Sequence, residues 1–268
     1  MVVGLLMLAG GAAAGVFGSL LGLGGGVLIV PLLTLGFGRP LREAVAVSLV
    51  CVIATSSAAA GAYLRSRVAN LRLGTVLTLF TTLGALVGGF VAFLLPERVL
   101  TGLFALLLAY VAWTMLRRGS APESTGERLG PPPAGTVAAL STPEYHVRGL
   151  VPGSVASVGA GVVSALLGIG GGAINVPTMH LVMGVPLRVA AATSNLMIGA
   201  TAVASAIIYL VRGAIDPYIA GPTVVGVFVG AAVGARLAPR VDVRVLRWLF
   251  VLVLAWTAFQ RLRRALGL

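Results

Sequence analysis

Four long apolar stretches constrain this chain more than any other feature. They cover residues 73 to 95, 98 to 116, 187 to 211 and 217 to 238, and each approaches the ~20 residues that a helix needs to cross a ~30 Å hydrocarbon layer. Only 10% of the residues are charged, which is too few for the surface of a soluble domain. Backbone polar groups in a bilayer must be satisfied within the protein. The sequence therefore predicts an all-α, polytopic bundle of transmembrane helices.

The chain also contains a tandem duplication. The segment GVFGSLLGLGGGVLIVP at 15 to 31 matches GVVSALLGIGGGAINVP at 161 to 177, with ten of seventeen positions identical. The same offset of 146 residues aligns RPLREAVAVS at 39 to 48 with VPLRVAAATS at 185 to 194. A fixed offset over such lengths indicates two homologous repeats. Each repeat ends with three longer helices, the last of them predicted at about 245 to 262.

The repeats are separated by a segment rich in proline, glycine and mixed charges, residues 117–149, whose composition is typical of a linker. We therefore divide the chain into a first transmembrane repeat (1–116), this polar linker and a second transmembrane repeat (150–268). In each repeat a Gly-rich break precedes a short apolar piece, at 27 to 37 and at 173 to 184. That piece is too short to span a bilayer upright, and the sequence does not decide between half of a broken helix and a re-entrant hairpin.

Arginine placement predicts how the repeats lie in the membrane. The loop after the first long helix is the more basic one in repeat one, whereas the next loop is the more basic one in repeat two. Their arginines are Arg65, Arg67 and Arg72 in the first case and Arg236, Arg240, Arg244 and Arg247 in the second. Basic loops remain on the cytoplasmic side. Equivalent loops then face opposite sides, which predicts inverted-topology repeats and a cytoplasmic linker, although three C-terminal arginines do not fit this placement.

The formal net charge of +12 does not indicate nucleic acid as a partner. The arginines cluster at the ends of apolar runs, which is the pattern of membrane topology rather than of a basic binding face. The sequence contains no Ser/His/Asp set, no metal-spaced cluster and no phosphate-binding loop, so we expect no catalytic residues, metal ligands or cofactors, and no enzyme. Cys51 is better explained by apolar packing, and His180 is a weak candidate for a proton relay.

The strongest local signal is the pair of glycine triplets at Gly24, Gly25 and Gly26 and at Gly170, Gly171 and Gly172. Three consecutive glycines are costly in a helix, and unwound backbone at membrane depth is tolerated where it is buried or lines a cavity. A helix that starts after such a break directs free N–H groups at one spot, which favours an anion. The alternative is close helix packing, the role expected of Gly84, Gly88, Gly230 and Gly234.

Polar side chains follow each triplet, and one pair of them is equivalent by the repeat offset. Ser48 in repeat one corresponds to Ser194 in repeat two, which is flanked by Thr193 and Asn195, and Asn175 follows the second triplet. Polar residues in membrane helices tend to face the bundle interior or a solute path, although hydrogen bonds within or between helices remain the alternative.

Two equivalent arginines, Arg42 and Arg188, stand at the starts of the first long helices. They either attract an anion towards the site or extend to lipid headgroups as interfacial residues. The sequence leaves both roles open.

These motifs resemble the TauE/SafE-type sulfite exporter family, also called the toluene-sulfonate uptake permeases. The duplicated G-x-x-x-x-L-L-G-[LI]-G-G-G-x-x-x-V-P, followed by P-L-R-x-A-x-x-x-S, carries the resemblance over both repeats. The resemblance implies a permease of the bacterial inner membrane for sulfite, sulfoacetate or other sulfur-containing anions. Repeat two departs from repeat one at Asn175 (Ile29) and Asn195 (Leu49), which argues against a fully symmetric site.

Together the residues and the resemblance predict a secondary transporter for a small sulfur-containing anion, working by alternating access with its site at the repeat interface. Its partners would be the anion and the lipid bilayer, with a homodimer left open. Two alternatives remain. One is a cation or metal-ion transporter, in which backbone carbonyls face the solute, and the other is a membrane scaffold that transports nothing.

Overall fold

The computed structural model describes residues 2–21, 24–65, 69–117 and 147–237. Within them the helices are α1 (Val2–Leu21), α2 (Gly26–Pro31), α3 (Leu41–Arg65), α4 (Leu71–Leu94), α5 (Glu97–Arg117), α6 (Leu150–Leu167), α7 (Gly172–Pro177), α8 (Leu187–Val211) and α9 (Pro217–Leu237). A π-helical turn continues each short helix, Leu32–Gly36 after α2 and Thr178–Val182 after α7. The helix predicted at about 245 to 262 and most of the predicted linker lie outside the described residues.

The helix boundaries repeat at the same offset as the sequence. The pairs α2 and α7, α3 and α8, and the two π-helical turns begin and end at positions 146 residues apart. Pro31 and Pro177 each close the short helix just before its π turn, because a proline lacks the N–H of the regular ladder and displaces the preceding carbonyl. The shared sequence pattern therefore produces the same local structure twice.

The chain reverses direction at each glycine-rich break. A side-chain carbon built on Gly18 of α1 would overlap the backbone of Gly25, and one built on Gly10 would lie 2.9 Å from the Leu32 side chain. Residues further along the returning segment thus contact residues earlier in α1, so the two segments are antiparallel. The contacts in repeat two have the same sense. The short piece is therefore the returning arm of a hairpin, not the second half of a straight broken helix.

Each repeat packs its first helix against the other repeat. α1 lies along α9, and α4 lies along α6. At these two contacts, the four glycines predicted to serve close packing lie against the backbone of the facing helix. A side-chain carbon on any of them would come too close to that helix. The contacts are Gly84 with Val158, Gly88 with Val162, Gly230 with Ala12 and Gly234 with Val16. This confirms their packing role, since glycine lets two helix backbones approach closely.

The bundle consists of two lobes, and each lobe draws helices from both repeats. Lobe one contains α1, α2, α3 and α9, whereas lobe two contains α4, α6, α7 and α8. The lobes meet mainly through α3 and α8, the equivalent helices of the two repeats.

The two helices at this boundary run in opposite directions. α3 begins where α4 ends, since Arg42 donates a hydrogen bond to the carbonyl of Leu95 at 2.5 Å. In the contacts between α4 and α8 the residue numbers increase together along both helices, from Gly74 against Thr193 to Gly89 against Ile208. α4 is therefore antiparallel to α3 and parallel to α8, which makes α3 and α8 antiparallel to each other.

The surface of the bundle is apolar. Among the described residues, five helices are long and apolar enough to cross a membrane, namely α3, α4, α6, α8 and α9. Large hydrophobic side chains are exposed along their outer faces, including Leu83, Phe90, Val155, Ile207 and Val229. So large an exposed apolar area is suited to lipid and not to water. The predicted all-α, multi-pass membrane fold is confirmed.

Candidate functional site

The two glycine-rich turns meet where α3 and α8 cross. A side-chain carbon on Gly24 would lie 3.1 Å from Ile198 and 3.6 Å from Val52, and one on Gly170 would lie 2.7 Å from Val52. Both glycines have positive φ, 75° and 81° respectively, a conformation that other residues rarely adopt. The turns from the two repeats are thus brought together at the boundary between the lobes.

Ser48 joins the repeats at this crossing. Its hydroxyl donates to the carbonyl of Gly168 at 2.6 Å and to that of Gly26 at 3.3 Å. A side-chain carbon on Gly26 would overlap the carbonyl of Gly168, so this glycine also has a packing role. Thr55 donates to the carbonyl of Gly24 at 3.0 Å. These hydroxyls satisfy carbonyls that the breaks leave without helical partners.

Two of the predicted lining residues make hydrogen bonds that stabilise the helices. Thr193 accepts a hydrogen bond from the backbone N–H of Asn70 at 2.9 Å, next to the start of α4. The Asn195 amide donates to the carbonyl of Ala191 at 3.2 Å, and its own backbone carbonyl accepts from Ser56 at 2.6 Å. Both side chains are therefore already engaged in this structure.

Four buried polar side chains of repeat two have atoms without a hydrogen-bond partner among the described residues. They are the hydroxyls of Ser157, Ser164 and Ser194 and the Oδ1 atom of Asn175, and we call them the polar cluster. A side-chain carbon on Gly171 would lie 3.4 Å from Ser164 Cβ and 3.5 Å from Asn175 Nδ2. Unsatisfied buried polar atoms are rare because each is costly, so four of them in one repeat, two against the same glycine, call for a functional explanation.

Half of this cluster was missed by the sequence analysis. Ser157 and Ser164 stand where repeat one has Gly11 and Gly18, and both lie on one face of α6 because seven residues make two helical turns. Their signal was the departure from the repeat, the same signal that distinguishes Asn175. Repeat one is apolar at those three positions, so the polar cluster belongs to repeat two alone.

Of the two predicted arginines, Arg42 has a side chain within the described part of the structure and Arg188 does not. Arg42 is half-buried at the boundary between the lobes, where its Nη2 bonds the Leu95 carbonyl and its guanidinium carbon lies 5.9 Å from the centre of the Phe93 ring. Arg188 stands in the first turn of α8, but its side chain lies outside the described residues. Arg42 therefore holds the end of α4 and does not reach out to headgroups alone.

The remaining candidates have ordinary surroundings. Cys51 is fully buried in the apolar core. One ring nitrogen of His180, Nδ1, lies 2.9 Å from the carbonyl of Val185. Within the described ranges no three His, Cys, Asp or Glu side chains cluster as metal ligands would.

A bundle of membrane-spanning helices that encloses paired glycine turns and buried polar groups defines the class of multi-pass membrane transporters. The chain matches the family described as sulfite exporter TauE/SafE over residues 7–261. It belongs to that family, and the resemblance drawn from the duplicated motif is confirmed.

Relatives that are named as probable membrane transporters agree with this class. The chain is 26% identical over 254 residues to the probable membrane transporter protein YunE of Bacillus subtilis, covering 91% of this chain and 93% of the relative. It is 30% identical over 227 residues to a probable membrane transporter protein of Xylella fastidiosa, covering 82% and 79%. It also matches MamO of Paramagnetospirillum magneticum at 29% identity, but it spans only 44% of that longer protein. No solved structure matches the chain.

Proposed function

We propose that this transporter is a secondary permease for a small sulfur-containing anion, such as sulfite or an organosulfonate, and that it holds the anion at the interface between its repeats. The observation that carries the proposal is the polar cluster. Three serine hydroxyls and the Oδ1 atom of Asn175 are buried in repeat two without hydrogen-bond partners among the described residues, and Ser164 and Asn175 lie against Gly171. Serine hydroxyl hydrogens and the hydrogens on Asn175 Nδ2, which faces Gly171, are suitable donors to the oxygens of an oxyanion, and a buried anion requires such donors.

The proposed site is asymmetric. In repeat one the N–H of Gly26 donates to the carbonyl of Gly24 at 2.9 Å, and Ser48 is bonded to carbonyls of both repeats. The donors of the first triplet, including Gly25 at its centre, would therefore shape and close the site. In repeat two, Gly171 and Gly172 lead into α7, which packs against α8, the helix that bears Ser194, and the anion would be held there.

Alternating access would occur by movement of one lobe against the other. The equivalent helices α3 and α8 cross in opposite directions, which supports an inverted arrangement of the repeats. Their crossing is closely packed because the glycines Gly24 and Gly170 face Val52 and Ile198 there, and such a contact suits a pivot. On this proposal the basic loops and the linker lie in the cytoplasm of a bacterial cell, and the protein lies in its inner membrane.

Uptake into liposomes tests the proposal. Purified protein should show saturable uptake of sulfite, thiosulfate or sulfoacetate, whereas divalent cations should not be taken up. The variant Asn175→Ile gives repeat two the residue that repeat one has at Ile29, and it should reduce anion uptake by about tenfold or more through loss of a polar contact to the anion.

The matched control is Thr223→Val. Thr223 is equally buried but lies on α9, where its hydroxyl donates to the Ile219 carbonyl at 2.7 Å. This variant should retain anion uptake. Cation flux from the wild type would replace the proposal with a cation transporter, and absence of any flux would favour a scaffold.

A further inference from the structure

Two arginines lie over one aromatic ring at the boundary between the lobes. The guanidinium carbon of Arg42 is 5.9 Å from the centre of the Phe93 ring, and that of Arg212 is 5.2 Å from the same point. The ring of Tyr209 packs against Phe93 at 5.0 Å, but its hydroxyl is occupied by the carbonyl of Ala165 at 3.0 Å. Both guanidinium groups thus approach the same phenyl ring.

The acidic residues at this end of the bundle do not neutralise that pair. Glu43 and Asp216 both face Arg39, at 3.8 and 4.0 Å. Glu97 accepts a hydrogen bond from the backbone N–H of Leu41 at 2.7 Å. In the part of the chain that the structure describes, neither Arg42 nor Arg212 forms an ion pair with a carboxylate. Like charges placed together without a counter-charge attract an anion.

Helix capping explains only part of this arrangement. Arg42 caps the end of α4 through one nitrogen, while its Nε atom is buried and has no hydrogen-bond partner within the described ranges. Arg212 follows directly after α8, where a cation is favourable near the helix C-terminus. Neither preference requires both side chains to converge on Phe93. An oxyanion between them would satisfy the free Nε and the two charges together, because guanidinium groups donate in a planar fork.

We propose that Arg42 and Arg212 form a second binding site, the arginine-pair site, which receives a small oxyanion before it reaches the polar cluster. The proposal rests on the proposed function for the identity of the solute, though not for the existence of the site. Arg42 belongs to lobe one, whereas Phe93 and Arg212 belong to lobe two. An anion bound here therefore adds a link between the lobes to the hydrogen bond that Arg42 already donates to the Leu95 carbonyl.

Arg212→Gln is the decisive variant, because Arg212 is exposed and its replacement leaves the core intact. Equilibrium binding of radiolabelled sulfite to detergent-purified protein and initial uptake rates into liposomes would both be measured. Arg212→Gln should weaken binding and raise the half-saturating concentration by about tenfold, as expected for one lost charge-assisted contact. The maximal rate should change little, and Arg212→Lys should restore part of the affinity.

Arg39→Gln is the matched control. It removes the same charge from the same end of the bundle, but Arg39 already faces two carboxylates. This variant should leave binding and uptake nearly unchanged. Equal effects of Arg39→Gln and Arg212→Gln, or no effect of either, would overturn the arginine-pair site. If the wild type binds sulfite but transports none, the proposed function fails, and the comparison of the two variants in the binding assay still decides the site.

Discussion

Ser48 and Ser194 occupy equivalent positions, but replacement by alanine should lower the stability of the protein at Ser48 and impair transport at Ser194. The Ser48 hydroxyl donates to the carbonyls of Gly168 and Gly26. Ser48→Ala removes these bonds and leaves buried acceptors unsatisfied. A hydrogen bond between membrane helices contributes on average about 0.6 kcal/mol and at most about 1.7 kcal/mol, and an orphaned buried acceptor adds to the loss. We expect Ser48→Ala to lower the free energy of unfolding by about 1–2 kcal/mol.

Ser194→Ala should instead preserve stability and impair transport. The Ser194 hydroxyl is buried and has no hydrogen-bond partner among the residues that the structure describes, so its removal breaks no bond there and relieves a desolvated polar group. The free energy of unfolding should change by less than about 0.5 kcal/mol in either direction. Loss of a hydrogen bond to a charged solute costs about 1.5–3 kcal/mol, which corresponds to a drop in apparent affinity of about 10- to 100-fold.

The two quantities can be measured on the same preparations. Unfolding would be followed by circular dichroism during titration of micellar protein with sodium dodecyl sulfate, and apparent affinity would come from initial rates of anion uptake into liposomes. If Ser194→Ala destabilises the protein as much as Ser48→Ala and leaves uptake unchanged, Ser194 is a structural residue and the reasoning is refuted.

Two further pairs of glycine variants test the site and the packing. Gly171→Ala and Gly25→Ala both place a methyl group at a positive φ, of 76° and 72° respectively, and should each cost about 1–2 kcal/mol in stability. Gly171→Ala should reduce anion uptake more than Gly25→Ala does, because its methyl group lies against Ser164; equal uptake by both variants would argue against the polar cluster. Gly84→Ala should destabilise the protein by about 1–3 kcal/mol in the same unfolding titration, since its methyl group would overlap the backbone of α6. The methyl group of Gly159→Ala meets open space, so this variant should be neutral or slightly stabilising. Similar stabilities of the two variants would contradict the close approach of α4 and α6.

The sequence predicted the helices well because hydrophobic length and the repeat offset are local signals. It placed the eighth helix at 187 to 211, the range that the structure gives. It did not decide the path of the short piece at 27 to 37, because a returning arm and a broken helix have the same length and composition. That question depends on which residues touch, and the contact of Gly18 with Gly25 is not visible in any pattern.

The candidate site was predictable only in part for a related reason. Thr193 and Asn195 were chosen for their polarity, but their hydrogen bonds to the chain depend on neighbours that the sequence does not identify. Ser157 and Ser164 were passed over because serines in membrane helices usually bond their own backbone. Which of these residues touches the anion remains a prediction.

The exchange of helices between repeats has a consequence for synthesis in the cell. Gly11 on α1 lies against Thr223 on α9, so α1 can complete its packing only after α9, about two hundred residues later in the chain, has been synthesised. A chain that ended after repeat one would leave the glycine-lined face of α1, with Gly11 and Gly15, without the helix against which it packs. Conversely, two copies of a single repeat could exchange these helices with each other, which is the form that a homodimeric ancestor would have taken before its gene was duplicated and fused.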